Sequence, residues 1–287
     1  MSVEGIDVAQ FSENIDWEKV KSQGIHFAFA RVNYGTYKQD TQFASYWPAI
    51  KKAGIIRGAY LFFRPSEEVD PQVKMFAQAL EIEPGDLPPV VDIEPDYKDR
   101  EQKHDHWSDL TLTQRLDRVS KVLTAVEVTT GYKPIIYTGY YFWRDQLGNT
   151  SHFADYDLWI ANYNPGTPSI PGGWNLHTFH QYDGDKKGFP GISGDVDRNR
   201  FNGALDRLQA LTVPAVSLQQ GCIGPKVKKL QQALKKVAQD SSHPEFDPGS
   251  PDGIFGPGTK KAVIAYQQAN SLTANGIVAP GDKLAIA

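Results

Sequence analysis

The feature that most limits what this chain can fold into is a rhythm. Short apolar, β-rich runs alternate with longer helical or loop stretches through its first two-thirds. The runs fall at residues 3–8, 26–32, 56–63, 88–94, 134–138, 157–161, 177–182 and 194–197. Between them, residues 16–23, 39–52, 70–80 and 111–130 have helical spacing; in the last, Leu112, Leu116, Val119, Leu123 and Val126 recur every three or four positions. Strands linked by crossover helices make a parallel sheet, and eight of them can close into a barrel. The later connections are short and poor in helix, so the expectation is an α/β, TIM-like barrel whose final third is irregular. In such barrels chemistry gathers at the C-terminal ends of the strands.

Two acids stand at such an end. Asp92 and Glu94 close the apolar run Pro88-Pro-Val-Val-Asp92-Ile-Glu94. Residues two apart on a strand face the same way, roughly 7 Å apart, so both carboxyls look into one cavity. Such a pair can have its pKa values pushed apart, leaving one acid protonated and the other charged. An Asp-x-Glu in isolation is commonly a solvated turn, so the weight lies in its company. Asp7 ends the first strand, and Asp195 and Asp197 end the last, which is the first strand's neighbour in a closed barrel. Spacing alone does not choose between Asp195 and Asp197. Aromatic residues crowd the same ends: Tyr60, Phe62 and Phe63, Tyr137 and Tyr140, Trp159 and Tyr163, and Tyr182. Aromatic faces with several carboxylates are the profile of a carbohydrate site, although a stripe of this kind is also what a core provides.

Composition removes other classes. The net charge of −4 over 287 residues hides an asymmetry, since residues 215–287 carry eight lysines against five acids. That is too little positive charge for a nucleic-acid binder, and the lysines read as a solvated helix face. The single cysteine, Cys222, excludes an internal disulfide and a thiolate zinc site. His104-Asp105-His106 lies in a charged loop without partner ligands, so no metal is expected. Gly35, Gly58 and Gly139 form no phosphate-binding pattern and no serine or cysteine stands in a nucleophile elbow, so no cofactor is expected either. Nowhere are about 18 apolar residues consecutive, and the N-terminus has no signal-peptide pattern, so no membrane association is expected.

The uncharged, proline-containing stretch 211–217 follows an expected last helix at 198–208 and reads as a linker. It separates a domain at 1–210 from a small, mostly helical one at 218–287, with helical spacing at 226–238 and 259–270 and a Pro/Gly-rich turn at 248–258.

Together these motifs resemble the glycoside hydrolase family 25 muramidases, the Chalaropsis-type lysozymes. The resemblance covers roughly residues 3–205. It rests on Gly5-Ile-Asp7-Val-Ala-Gln-Phe, Phe27-Ala-Phe-Ala-Arg31-Val, Gly58-Ala-Tyr60-Leu-Phe-Phe, Val91-Asp92-Ile-Glu94, Pro134-Ile-Ile-Tyr137-Thr, Leu158-Trp159-Ile-Ala-Asn-Tyr163, His180-Gln181-Tyr182 and Val196-Asp197-Arg-Asn199-Arg-Phe201, in that order. The last motif aligns Asp197, leaving Asp195 as a flanking acid. The resemblance implies hydrolysis of the β-1,4 bond from N-acetylmuramic acid to N-acetylglucosamine. Glu94 would be the general acid and then base, and Asp92 would hold the substrate's 2-acetamido group as it attacks C1. Asp7 and Asp197 would tune that charge, and Tyr60, Phe62, Tyr137, Trp159, Tyr163, Gln181 and Tyr182 would contact sugar. A wall- or chitin-binding lectin on an inactive barrel, or a hydrolase of a related N-acetylated glycan, is the competing reading.

The C-terminal part is similar to three-helix peptidoglycan-binding modules, through Gly224-Pro-Lys-Val227-Lys-Lys-Leu230-Gln231-Gln-Ala-Leu234, Pro251-Asp252-Gly253-Ile-Phe255-Gly256 and Tyr266-Gln267. Its final half departs from the pattern at Ala279-Pro280-Gly281. Both domains would then engage bacterial peptidoglycan, in a protein expected to act as a monomer on the cell wall. Without a visible signal, the chain looks like a phage endolysin released through a separate pore, or a protein secreted by another route.

Overall fold

The computed structural model describes residues 2–99, 101, 103–214, 217–279 and 282. The chain divides into two compact units, the second made up of 214–287 together with the short stretch Val128–Gly131.

The strands of the first unit are β1 (Val3–Val8), β2 (Ile25–Tyr34), β3 (Lys38–Gln39), β4 (Ile56–Phe62), β5 (Val90–Ile93), β6 (Ile135–Gly139), β7 (Leu158–Ala161), β8 (Phe179–Lys186) and β9 (Val196–Phe201). Its helices are α1 (Trp17–Ser22), α2 (Phe43–Lys52), α3 (Val69–Ala79), α4 (Leu112–Thr130), α5 (Tyr140–Gln146) and α6 (Leu205–Leu211). The sheet runs β1-β9-β8-β7-β6-β5-β4-β2, and β1 also pairs with β2, which closes a barrel of eight strands; the two-residue β3 hangs on the edge of β2.

Apart from the short β3, which runs antiparallel to β2, the strands from β1 to β8 pair in parallel, whereas β9 runs antiparallel to both of its neighbours. The reversal falls in the final third, where the short helix-poor connections point to an irregular barrel. Only residues 187–195 separate β8 from β9, too few for the crossover that a parallel neighbour needs. The reversal matters for the site, because the start of β9, rather than its end, meets the C-terminal ends of the other strands. A helix at 198–208 is corrected: residues 198–201 continue β9, and α6 begins only after the turn at Asn202-Gly203. The helical spacing of Phe201, Leu205 and Leu208 spans that turn by coincidence.

Strand alternation sorts the core into two layers. Ile6, Val8, Ala28, Ala30, Leu61, Val91, Ile93, Ile136, Leu158 and Ile160 face outward under the helices. Val3, Phe27, Phe29, Tyr60, Val90, Ile135, Tyr137, Trp159, Phe179 and Phe201 fill the interior. Two glycines make room for this filling. A Cβ on Gly5 would lie 2.3 Å from the Phe27 ring, and one on Gly58 would lie 2.3 Å from Phe29. The Phe29 ring in turn stacks on Trp159, with centroids 4.3 Å apart. The bottom of the barrel is thus solid aromatic core, and only its upper layer is left for polar groups.

The second unit contains α7 (Pro225–Asp240), a 3-10 turn (Pro244–Phe246) and α8 (Pro257–Ala269) around Val227, Leu230, Leu234, Phe255, Ala262, Val263 and Val278. Of the expected linker, Ala215 and Val216 lie outside the described residues, as do Pro280 and Gly281 of the divergent final motif. Among the described residues, no helix is long and apolar enough to cross a membrane.

Candidate active site

The upper layer of the barrel is an open pocket of about 570 Å³ lined by Asp7, Ala9, Phe11, Arg31, Tyr60, Phe62, Asp92, Glu94, Tyr137, Trp159, Gln181 and Asp197. Alternation puts each side chain there. Asp92 follows Val90 on the inner face of β5, and Glu94 continues the same phase one residue beyond the strand. Asp7 ends the inner row of β1 and lies opposite Asp197 in the β1–β9 register. The backbone that carries Glu94 is anchored by Trp107, whose indole N–H donates to the Glu94 carbonyl over 2.8 Å.

The acids fall into two differently supported pairs. Asp7 Oδ1 accepts from Asn199 Nδ2 at 2.7 Å and from Gln181 Nε2 at 2.9 Å, and the Gln181 amide also reaches Asp197 Oδ2 at 3.2 Å. Tyr137 donates its hydroxyl to Gln181 Oε1, Trp159 donates its indole N–H to Asn199 Oδ1, and the backbone N–H of Asp185 donates to Asp197 Oδ1. Asp92 has no such support. Its Oδ1 is buried and lacks a hydrogen-bond partner among the described residues, an arrangement that costs about 1–3 kcal/mol per group and calls for an explanation.

Burial raises all four carboxyls: Asp7 to about 6, Glu94 to about 7, Asp197 to about 8, and Asp92 well above the carboxylate range. For Asp7, the hydrogen bonds from Asn199 and Gln181 oppose burial. The contact with Asp197 lowers Asp7 and raises Asp197. For Asp92 the charges of Glu94 and Asp7 add to desolvation, while the Arg31 guanidinium opposes it. Spacing alone suggested that the values of Asp92 and Glu94 would be pushed apart. In the folded protein both rise, because burial disfavours each charge and neighbouring acids add to it, while only Arg31 in the pocket lining opposes them.

Most of the expected site residues line this pocket, and Tyr182 lies outside it. Tyr182 alternates away from Gln181, donates its hydroxyl to Glu4 Oε2 at 2.8 Å and lies 4.0 Å from the Arg200 guanidinium, outside the pocket. Gln181 is fully engaged by Asp7, Asp197 and Tyr137, so its amide is spent on protein groups. Trp159 is 1% exposed and serves as the floor. Tyr163, 67% exposed, stands at the rim, where its ring and the Asp197 carboxylate both crowd the space beside Gly184. Asp195 precedes β9 and faces Lys187 at 3.8 Å. His104 pairs with Asp99 at 3.0 Å, and Asp105 accepts from the backbone N–H groups of Asp96 and Trp107.

Arg31 was not foreseen as a site residue. The signal for it was present, since Phe27, Phe29 and Arg31 are one inward row of β2. Asn199 entered only as part of the closing motif, and nothing local in the sequence marks Trp107 as the prop beneath Glu94.

With this geometry in hand, comparisons with known proteins place the chain. Residues 6–192 match the sequence model of glycosyl hydrolases family 25, and residues 223–280 match that of a putative peptidoglycan binding domain. The chain belongs to glycosyl hydrolase family 25. Within the curated members, it is 33% identical over 214 residues to Lysozyme M1 of Streptomyces globisporus, spanning 73% of this chain and 71% of that protein. It is 35% identical over 215 residues to the uncharacterized protein YegX of Escherichia coli K12, spanning 73% of each. The crystal structure of a lysozyme from Streptomyces coelicolor superposes with a TM-score of 0.68 at 33% identity, over 74% of this chain and 97% of that one. The barrel is therefore a family 25 fold, and its four-carboxyl pocket sits where strand ends of such a fold converge.

Proposed function

We propose that this family 25 protein is a muramidase that hydrolyses the β-1,4 bond between N-acetylmuramic acid and N-acetylglucosamine in bacterial peptidoglycan. The observation that carries the reading is the pair at the end of β5: Glu94, raised to about 7, beside Asp92 with a buried and unpartnered Oδ1. Protonated Glu94 donates its proton to the glycosidic oxygen as the bond to C1 breaks. The carbonyl oxygen of the sugar's own acetamido group attacks C1, and Asp92 accepts the acetamido N–H and stabilises the positive charge that develops on that group. That donor is what Asp92 lacks among the described residues, and the developing charge favours its ionised form. Water then attacks C1 while the Glu94 carboxylate takes a proton from it, which returns the enzyme to its starting state with retained configuration.

Asp7 and Asp197 share one proton and set the field around the pair, with Gln181 and Asn199 as positioning residues. Tyr60, Phe62 and Tyr137 supply the pocket wall, and Tyr163 the rim, against sugar faces. Residues 1–210 form the catalytic barrel, 211–217 the linker and 218–287 a wall-binding domain that raises local concentration on an insoluble substrate. The protein works as a monomer and reaches the wall as an endolysin does, through a pore made by another protein. The test is digestion of purified peptidoglycan by the protein and by Glu94→Gln. New N-acetylmuramic acid reducing ends from the unmodified protein alone are expected. N-acetylglucosamine ends, or equal release by the variant, would overturn the assignment.

A further inference from the structure

Arg31 is the one cation lining an otherwise acidic pocket, and its surroundings are built with care. Arg31 Nε and Nη2 both reach Asp40 Oδ2, at 3.0 and 2.9 Å. Asp40 is buried, and it is itself held by the backbone N–H groups of Gln10 and Gln42, at 3.0 Å each. The Phe11 ring, 60% exposed at the pocket edge, lies 5.3 Å from the guanidinium. Asp40 therefore accepts the Nε–H and pairs with Nη2 by charge, which leaves the remaining N–H groups of the guanidinium open. Among the described residues, no other hydrogen bond engages them. A fork held on one side and open on the other is pre-organised to bind an oxygen acceptor.

We infer that Arg31 reads the C3 substituent of the sugar held at Asp92, and so selects N-acetylmuramic acid over N-acetylglucosamine. The inference rests on the muramidase reading above. In that reading Glu94 addresses the oxygen on C1 and Asp92 the acetamido group on C2, both from β5. The next ring carbon is C3, where muramic acid carries a lactyl ether and N-acetylglucosamine only a hydroxyl. Arg31 stands on β2, beyond the aromatic wall that β4 places beside Asp92: it pairs with Tyr60, while Phe62 pairs with Asp92. The lactyl group presents a carboxylate in peptide-free glycan and an amide carbonyl where a stem peptide is attached. Both are oxygen acceptors for the open side of the fork.

Binding is measured calorimetrically in the Glu94→Gln background, which does not consume ligand. The ligands are peptide-free muramyl-glucosaminyl oligosaccharide, the same glycan with its stem peptide, and a chito-oligosaccharide of equal length. The Glu94→Gln protein should prefer both muramyl ligands to the chito-oligosaccharide. Adding Arg31→Gln should erase about ten- to hundred-fold of that preference, the range of a charge-assisted hydrogen bond, and leave chito-oligosaccharide affinity within about two-fold. Arg31→Gln strands the buried Asp40 carboxylate, so the Arg31→Gln/Asp40→Asn double variant is measured beside it and should lose the same preference with a restored melting temperature. Equal weakening of all three ligands would overturn the inference and leave Arg31 a structural prop. A preference that survives in the double variant would overturn it as well. Failure of the unmodified protein to release muramic acid ends would instead count against the muramidase reading itself. A loss confined to the peptide-free ligand would assign the contact to the free carboxylate, and a loss with both would assign it to the shared oxygen.

Discussion

Both units bury glutamines, and they spend them in opposite ways. In the C-terminal unit, Gln231 on α7 donates to Asp252 Oδ1, Ile254 O and Thr259 Oγ1 and accepts from Gly253 N, so one side chain fastens the Asp252-Gly253-Ile254 turn. Gln267 on α8 repeats the device on Asn275, Gly276 and Ile277. Every bond there serves architecture. In the barrel, Gln181 is just as fully bonded, but its partners are two carboxyls and a tyrosine at the mouth of a pocket. Its neighbour Asp92 is left with an unpartnered oxygen. A small module of modest core uses buried amides to fix its turns, whereas a large barrel with an aromatic floor can carry the cost of four clustered acids.

The contrast can be broken from either side. The largest effect is expected from Gln231→Ala, which strands the Gly253 N–H and the Ile254 carbonyl and should cost about 2–4 kcal/mol. Sedimentation with insoluble peptidoglycan should fall steeply while turnover of a soluble muramyl oligosaccharide stays within two-fold. Loss of both would mean that Gln231 supports more than its own module.

The acids give the second effect. A carboxyl whose value is raised in the folded protein holds its proton more tightly than in the unfolded chain. The stability it contributes is present below the unfolded value near 4 and is lost as pH rises through the folded value. For Glu94 and Asp7 that window runs from about 4 to about 7. The unfolding free energy of the barrel, and with it the melting temperature, should therefore decline from pH 5 to pH 8, and Glu94→Gln should lessen that free-energy loss by roughly 2–3 kcal/mol. Turnover should fall in the same direction as Glu94 loses its proton near pH 7. Melting temperatures that rise from pH 5 to pH 8 would show that the acids are not strained by burial.

The smallest effect belongs to Tyr182→Phe. It removes a part-buried bond to Glu4 outside the pocket, worth about 1 kcal/mol, and should leave kcat/KM on soluble glycan unchanged. A tenfold loss would return Tyr182 to the sugar site.

Period-two reading explains how much was legible beforehand. It places Asp7, Asp92 and Tyr60 correctly because each continues an inward apolar row, and the same rule would have found Arg31 after Phe27 and Phe29. The same rule turns Tyr182 outward, because it neighbours the inward Gln181. The direction of β9 was not visible, because Asp197-Arg-Asn-Arg-Phe alternates equally well in either sense and only the length of the preceding loop decides. The props are harder still. Trp107 meets Glu94, and Asp40 meets Arg31, through tertiary contacts that no local spacing encodes.

The central claim is that Glu94 carries the proton while Asp92 holds the substrate's amide. It is tested most directly with two substrates, a natural muramyl oligosaccharide and an aryl glycoside of N-acetylmuramic acid whose phenolate needs no protonation to leave. On the oligosaccharide, Glu94→Gln and Asp92→Asn should each lose about 10²–10⁴ in kcat. On the aryl glycoside Glu94→Gln should recover most of that loss, and Asp92→Asn should recover little. Equal recovery by both variants, or recovery by Asp92→Asn alone, would contradict the assignment.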